Sequence, residues 1–456
     1  MSTLCFSITT RPLAPIETLP NELLATIFAY GSRPSTHNSF RDSNLPFPLL
    51  VSSINKHWRD VALNSPGVWS CVYISGRQPL DVTRTWITRS RGCMLDVTLN
   101  LRFVRQADVD PIIDIIVPHV GRWRRFFLHA TNHAGMDKVL SSIRRASAPH
   151  LKFFGIRNFG YVGEGSVRSR ILLHGTPVLQ SVQLEYVPLW CSPPLVGLHT
   201  LNLDHVLPTY AEFRDIATSC PSLSELILRN FYPNLQLHEP VTILSLSSLN
   251  SLAIKFDQSQ SSAPRQSFLS FLSFPNLEYL ELSHCHLPEL FQHFPRDGRL
   301  WFPRLQTLRL SHATISNCVK FLHTLSTISH LQLIHLSDLL KPAKETSAQF
   351  AGEDELISPP DRLVWPNLKV VTMETNSLCH LDALDALCFL VQYRIDIGRP
   401  LSRVRLSPLL YRCLIGGSRR AISDSALRDM HTYDIDWFRS RVEVDVMTDP
   451  DPEFIY

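Results

Sequence analysis

The sequence predicts an α/β fold: a short N-terminal helical module followed by an irregular solenoid, with parallel strands on its concave face and helices outside. Three observations lead there. Apolar residues between Ile16 and Trp69 recur at helical steps, an L-x-x-L-x-L segment returns beyond residue 145, and 456 residues exceed what one compact core usually holds.

The helical module comes first. From Ile16 the chain reads IETLPNELLATIFAY, where Ile16, Leu19, Leu23, Leu24, Ile27 and Phe28 fall at three- and four-residue steps on one helix face. Pro20 suits a first helical position, because its fixed φ is helical and its missing N–H would go unpaired there. Glu22 complements the positive end of the helix dipole. Gly31 and Pro34 stop this helix, and the polar stretch Ser32 to Asn44 reads as a loop. A second helix is predicted within FPLLVSSINKHWRDVALNSPGVW, with Leu50, Val51, Ile54, Trp58, Val61 and Ala62 on its apolar face and Asn64, Pro66 and Gly67 ending it. About four buried Leu, Ile or Phe side chains contribute roughly 6–12 kcal/mol before chain entropy is subtracted, so the hairpin alone is marginal.

The repeating body follows. Five copies open with proline: PHLKFFGI from Pro149, PVLQSVQL from Pro177, PSLSELIL from Pro221, PNLEYLEL from Pro275 and PRLQTLRL from Pro303. PNLKVVTM from Pro366 is looser, and GLHTLNL from Gly197, SLNSLAI from Ser248 and SHLQLIHL from Ser329 lack the proline. The first apolar positions of the clear copies, residues 151, 179, 198, 223, 249, 277 and 305, advance by 28, 19, 25, 26, 28 and 28. That is a leucine-rich-repeat period. The final apolar pair of each copy, such as Leu280 and Leu282, suits a short strand with one face inward. YAEFRDIATS at 210 and CVKFLHTLSTIS at 318 carry helical spacing and read as outer helices. The repeats are read over 146–381, interrupted by polar text at Asp257 to Ser267 and by a polar loop at 341–362. The pattern then dissolves into a cap and tail over 382–456.

In such a solenoid the side chains between the apolar strand positions face the partner. Thr200, Asn202, Asp204, Glu225, Arg229, Lys255, Tyr279, Glu281, Thr307, Arg309, Thr372 and Glu374 are therefore partner candidates, against the plainer reading of a solvated face. Tyr279 and Arg309 are the residue types that most often dominate an interface.

The N-terminal text resembles the F-box, in the form common in mushroom-forming fungi. The match is LP-x-E-LL-x-x-IF at 19–28 and FPLLVSSINKHWRDVALNSPGVW at 47–69, within a module read as 13–70. Leu19, Pro20, Glu22, Leu23, Ile27 and Phe28 match the first half, and Val51, Ile54, Lys56, Trp58, Arg59, Ala62, Pro66 and Trp69 the second. Asn55 departs from the Cys or Ser usual there, and the insertion at 31–46 is longer than in a minimal F-box. WITRSRGCMLDVTL from Trp86 and HVGRWRRFFL from His119, with Phe126 in place of a Leu, resemble two further family segments. They lie in what reads as a connecting strand and helix region, 71–145.

The resemblance implies a substrate-recognition adaptor and not an enzyme. Its F-box would bind a Skp-type adaptor and so join a cullin ubiquitin ligase, while the rest of the chain recruits a protein target. The implied adaptor-binding residues are Leu19, Pro20, Glu22, Leu23, Ile27, Phe28, Val51, Lys56, Trp58 and Arg59. Leu19 and Pro20, where the hairpin begins, are the pair placed for a partner groove; for the others, core packing is the competing reading. A second reading is a stand-alone repeat scaffold or ligand sensor whose F-box is a structural remnant.

Composition and motifs narrow the chemistry. The 44 Lys plus Arg against 41 Asp plus Glu leave +3, too balanced to draw nucleic acid or anionic lipid by net charge. Ten cysteines are scattered without a C-x-x-C pair, no leader is read in Met1 to Pro15, and no run of about 18 apolar residues occurs. A reducing compartment, cytoplasmic or nuclear, and no membrane partner are expected. Neither a phosphate-cradling loop nor a nucleophile elbow is present, and GEGS at 163 is too short to count. His284, Cys285 and His286 are adjacent on a turn and rarely converge on one ion, while His129 and His133 lack the surrounding H-E-x-x-H text. Arg122, Arg124 and Arg125 flank Trp123 in what reads as a structural strand edge. No metal and no cofactor are expected.

Overall fold

The computed structural model describes residues 16, 19–32, 46–76, 79–160, 170–206, 208–231, 242–256, 268–285, 302–313, 325–335, 365–375, 380–415 and 435–447. The polar segments at 257–267 and 341–362, the loop at 33–45, the helical spacing over 318–324, GEGS at 163, His286 and the tail beyond 447 lie outside them. The chain is α/β, with a large parallel sheet. It divides into two compact units, Met1–Leu179 with Trp190–Pro194, and Gln180–Leu189 with Leu195–Tyr456.

The first unit opens with three helices, α1 (Asn21–Gly31), α2 (Phe47–Ile54) and α3 (Lys56–Asn64), then a 3₁₀ turn at Pro66–Trp69. Strands and helices alternate from there: β1 (Cys71–Ser75), α4 (Leu80–Arg89), β2 (Leu95–Asn100), α5 (Val109–Ile116), β3 (Trp123–Ala130), α6 (His133–Ile143) and β4 (Phe153–Asn158). β1 to β4 pair in sequence order, all parallel, with a helix in each crossover connection. The region read as a connector, 71–145, therefore holds three strand–helix units. The apolar alternation there (Val72 and Ile74, Val97 and Leu99, Phe126 and Leu128) is strand-like, but no Pro-x-Leu lead marks it as a repeat.

Leu24, Phe28, Val51, Val61, Ala62, Val68, Trp69 and Trp86 form one buried cluster. Trp86 belongs to α4, so this core does not stop at residue 70. The Trp69 ring meets Trp86 edge-on at 5.6 Å, its indole N–H donates to the Ala62 carbonyl at 2.8 Å, and the Arg89 guanidinium caps it at 4.6 Å.

The second unit contains β5 (Ser181–Glu185), β6 (Thr200–Asp204), α7 (Tyr210–Ser219), β7 (Glu225–Phe231), β8 (Leu244–Ser245), β9 (Ser251–Phe256), β10 (Leu272–Ser273), β11 (Tyr279–Ser283), β12 (Thr307–Ser311), β13 (His330–Ile334) and β14 (Val370–Glu374). It ends with α8 (His380–Asp396), β15 (Arg403–Leu406), α9 (Pro408–Ile415), α10 (Ile435–Arg439) and β16 (Glu443–Val446). The short β8 and β10 pair with each other; the remaining strands lie side by side in chain order, all parallel. The outer helix expected at 210 is α7, closed by a reciprocal capping box between Thr209 and Glu212.

Each of the nine repeat copies supplies one strand, from β4 to β14. The proline that leads six of them has a local cause. The N–H of the first leucine donates back three residues: Leu151 to Ala148, Leu179 to Thr176, Leu223 to Cys220, Leu277 to Phe274, Leu305 to Phe302 and Leu368 to Trp365, at 3.1–3.3 Å. Pro149, Pro177, Pro221, Pro275, Pro303 and Pro366 occupy the second position of these turns, where a fixed φ near −65° is wanted. The Gly197 copy makes the same bond, Leu198 to Leu195, with Gly197 at φ +81° in the third position, where a left-handed backbone favours glycine.

Two expectations are corrected. The copy taken from Ser329 starts three residues earlier: Ile328 is its buried lead, and Leu331 and Leu333 pair with Leu308 and Leu310. The repeat text does dissolve from 382, but the strands do not stop with it: β15 and β16 extend the parallel ladder.

Candidate partner-binding surfaces

Helix α1 starts at Asn21, with Pro20 just outside at φ −54° and ψ 148° and Glu22 in the first turn. It ends at Gly31, where any Cβ would collide with the Phe47 ring that opens α2, so the glycine sets how closely the two helices approach. The second predicted helix is two helices, because Asn55 is extended (φ −154°, ψ 176°). Its side chain accepts the Trp58 N–H at 2.7 Å as the N-cap of α3. The residue that departs from the family pattern thus serves the backbone.

The apolar stripe of α1 is wider than its core face. Leu24 and Phe28 point inward, whereas Leu23, Ile27 and Tyr30, spaced i, i+4 and i+7, are 51%, 44% and 64% exposed. On α2, Val51 is buried, while Leu50 and Ile54, four residues apart, face solvent. Sequence spacing had grouped Leu23, Ile27, Leu50 and Ile54 with the buried face. They are instead exposed on the outer side of their helices.

Of the implied adaptor-binding residues, Pro20, Glu22, Leu23, Ile27, Lys56 and Arg59 are exposed, and Leu19 is half-buried against the core cluster. Phe28 and Val51 are corrections. Both are fully buried beneath the stripe, on the inward arc of their helices, and cannot meet a partner. Trp58 is half-buried, packed against the core with its ring 5.0 Å from Phe28. Tyr30 was missed, although its seven-residue step from Leu23 continues the stripe.

The strand candidates of the second unit share the sheet face opposite the leucine core. Register aligns Thr200, Glu225, Tyr279 and Thr307 in one row, Asn202, Glu281, Arg309 and Thr372 in the next, and Asp204, Arg229, Lys255 and Glu374 in a third. Glu225, Arg229, Lys255, Tyr279 and Glu374 are half-buried. Glu281 and Arg309 are corrections, at 0% and 1% exposure. Their side chains face each other at 3.5 Å, with Tyr279 donating to Glu281 at 2.9 Å and Arg309 donating to Gln332 at 3.2 Å. Strands about 4.8 Å apart bring long polar neighbours into contact across the sheet, so this central row pairs internally.

In the first unit Arg124 holds Asp96 through two bonds at 2.8 and 2.6 Å, an ion pair that raises the Arg124 pKa. Burial, followed by the positive charge of Arg157, pushes the His129 imidazole down to about 4. His129 lies on β3 and His133 begins α6, where its Nδ1 is 3.4 Å from Asp137. Among the described residues no group of three or more His, Cys, Asp or Glu side chains could hold a metal ion. Nor is any helix among them long and apolar enough to cross a membrane.

No protein-family model matches this chain, and no curated protein matches it.

Proposed function

We propose that this chain is the substrate-recognition subunit of a Skp-cullin-F-box ubiquitin ligase, with a leucine-rich-repeat body that carries the target. The observation that supports it is the exposure of apolar residues on α1 and on α2. Leu23, Ile27, Tyr30, Leu50 and Ile54 are exposed, while Leu24, Phe28, Val51 and Ala62 on the same module are buried in its core. Exposed apolar residues on one helix at i, i+4 and i+7 are the anchors of helix-in-groove recognition. They lie in the segment whose text resembles the F-box.

The second unit supports the remainder of the reading. Parallel strands stacked in chain order give an extended face, and a receptor of this kind acts by raising the effective concentration of its target near the ubiquitin donor. No group of this chain would take part in the transfer chemistry.

Co-purification of the intact chain with a purified Skp-type adaptor tests the proposal. The unaltered chain should co-elute, and the Leu23→Asp, Ile27→Asp double variant should not, while keeping its circular dichroism and melting profile because both side chains are outside the core. Failure of a folded, unaltered chain to co-elute overturns the ligase reading. It leaves a repeat scaffold whose helical module is structural only.

A further inference from the structure

Six strands of the second unit carry, at their carboxyl ends, a non-glycine residue in the left-handed region: Tyr186, His205, Asn230, His284, His312 and His335, at φ between +46° and +56°. Asparagine and histidine enter this conformation more readily than most residues. In the three consecutive strands β11, β12 and β13 the residue is histidine each time. Each backbone N–H donates to the next strand, His284 to the Ser311 carbonyl at 2.9 Å, His312 to Ile334 at 3.2 Å and His335 to Glu374 at 2.8 Å. These bonds tie every histidine to its neighbour, so the side chains repeat the strand spacing of about 4.8 Å.

The rings therefore stack. His284 and His312 are 4.7 Å apart between centroids and 2° from parallel, and His312 and His335 are 4.5 Å apart at 34°. His312, in the middle, is exposed, and the outer two are half-buried. Among the described residues, the charged group on the β9 side of the row is Lys255, and on the β14 side it is Glu374. On the histidines' own strands Glu281 and Arg309 face each other, and the Cys285 thiol that follows His284 is buried. Lys255 opposes a proton on His284, whereas Glu374 can offset one only at the His335 end. His312 meets an imidazole on both sides.

We propose that the His284–His312–His335 row is an acid-sensitive latch, which holds the carboxyl ends of β11, β12 and β13 together while its imidazoles are neutral and lets them part as they take up protons. Neutral rings stack without penalty, but two imidazolium ions at this spacing repel. Even at the strength that bulk water allows, unit charges that close shift an equilibrium about fivefold. Burial first, and then His312 and Lys255, hold the His284 imidazole below its ordinary pKa. The closed row thus refuses protons that the open form accepts, so its stability is full above about pH 6.5 and is lost as pH falls below it. β11 and β12 also carry Tyr279 and Arg309, so acid would loosen that part of the candidate partner face. The latch stands whether or not the chain joins a ligase.

Hydrogen–deuterium exchange of the full chain at pH 7.5 and pH 5.5, corrected for the intrinsic pH dependence of amide exchange, tests it. Opening should rise roughly fivefold or more on acidification in 277–285, 305–313 and 328–335, with β5 and β15 changing far less. His312→Asn removes the middle ring and keeps a residue suited to the left-handed backbone, as Asn230 shows at the end of β7. That variant should lose most of the acid effect. No acid-induced opening in these three segments, an equal rise in β5 and β15, or an undiminished effect in folded His312→Asn overturns the proposal. Should the variant fail to fold, salt decides on the unaltered chain: at 1 M the Debye length is about 3 Å and the acid effect should shrink, and an effect that salt leaves untouched is not charge repulsion and sinks the latch. Acid sensitivity from His129 is read separately, in β3 of the first unit.

Discussion

The Asn55 carboxamide accepts the Trp58 N–H at 2.7 Å and thereby splits one predicted helix into two. Asn55→Ala should cost about 1 kcal/mol and Asn55→Ser much less, since serine also caps, as chemical denaturation would show. The buried Glu281–Arg309 pair sets a larger scale. Arg309→Ala should destabilise by about 3–5 kcal/mol because it strands a buried carboxylate, whereas Glu281→Gln with Arg309→Met should cost far less than the single change. His129 gives a pH dependence. Its folded pKa of about 4 lies below the unfolded value, so the unfolded chain takes up a proton that the folded chain refuses. Stability is full above about pH 6.5 and falls on acidification by on the order of 3 kcal/mol by pH 4. Denaturant midpoints measured between pH 7 and pH 4.5 should drop less steeply in His129→Phe.

At the level of elements, the P-x-L lead was legible because it records a turn: proline fixes the second position and the leucine N–H closes the bond. Six strands were readable from that lead, and three more from the L-x-x-L-x-L text without it. β1, β2, β15 and β16 were not, since nothing in CVYIS, LDVTLN, RVRL or EVDV repeats that lead, whereas β3 was legible as a strand from Trp123 to Leu128 but not as a repeat; each pairs in the same parallel direction. Helical periodicity correctly placed α1 and the start of α2 but could not divide their apolar residues between inside and outside. A stripe with both a buried face and an exposed apolar face has one period. The distinction has a measurable consequence. Leu305→Ala, at a buried repeat lead, should cost about 3–5 kcal/mol, and Leu23→Ala, on the exposed stripe, about 0.5 kcal/mol or less in the free chain.

For the molecule as a whole, the α/β character and the parallel strand ladder follow from the repeat spacing, whereas the division into two units does not. The Trp69–Trp86 contact ties the helical module to the first strands, and no composition shift marks the unit boundary near residue 180. The residues of the proposed adaptor surface sit in local text, within the α1 and α2 segments, although their exposure is not written there. Which residues of different strands come side by side depends on cross-strand register, and that is not written in any one segment. The central claim is that the apolar stripe docks a Skp-type adaptor, and hydrogen–deuterium exchange of the intact chain with and without that adaptor tests it most directly. The account predicts slowed exchange in 19–31 and 47–64, with the strand ladder of the second unit unchanged. Binding that protects the strand ladder and leaves those helices exchanging at their free rate would contradict it.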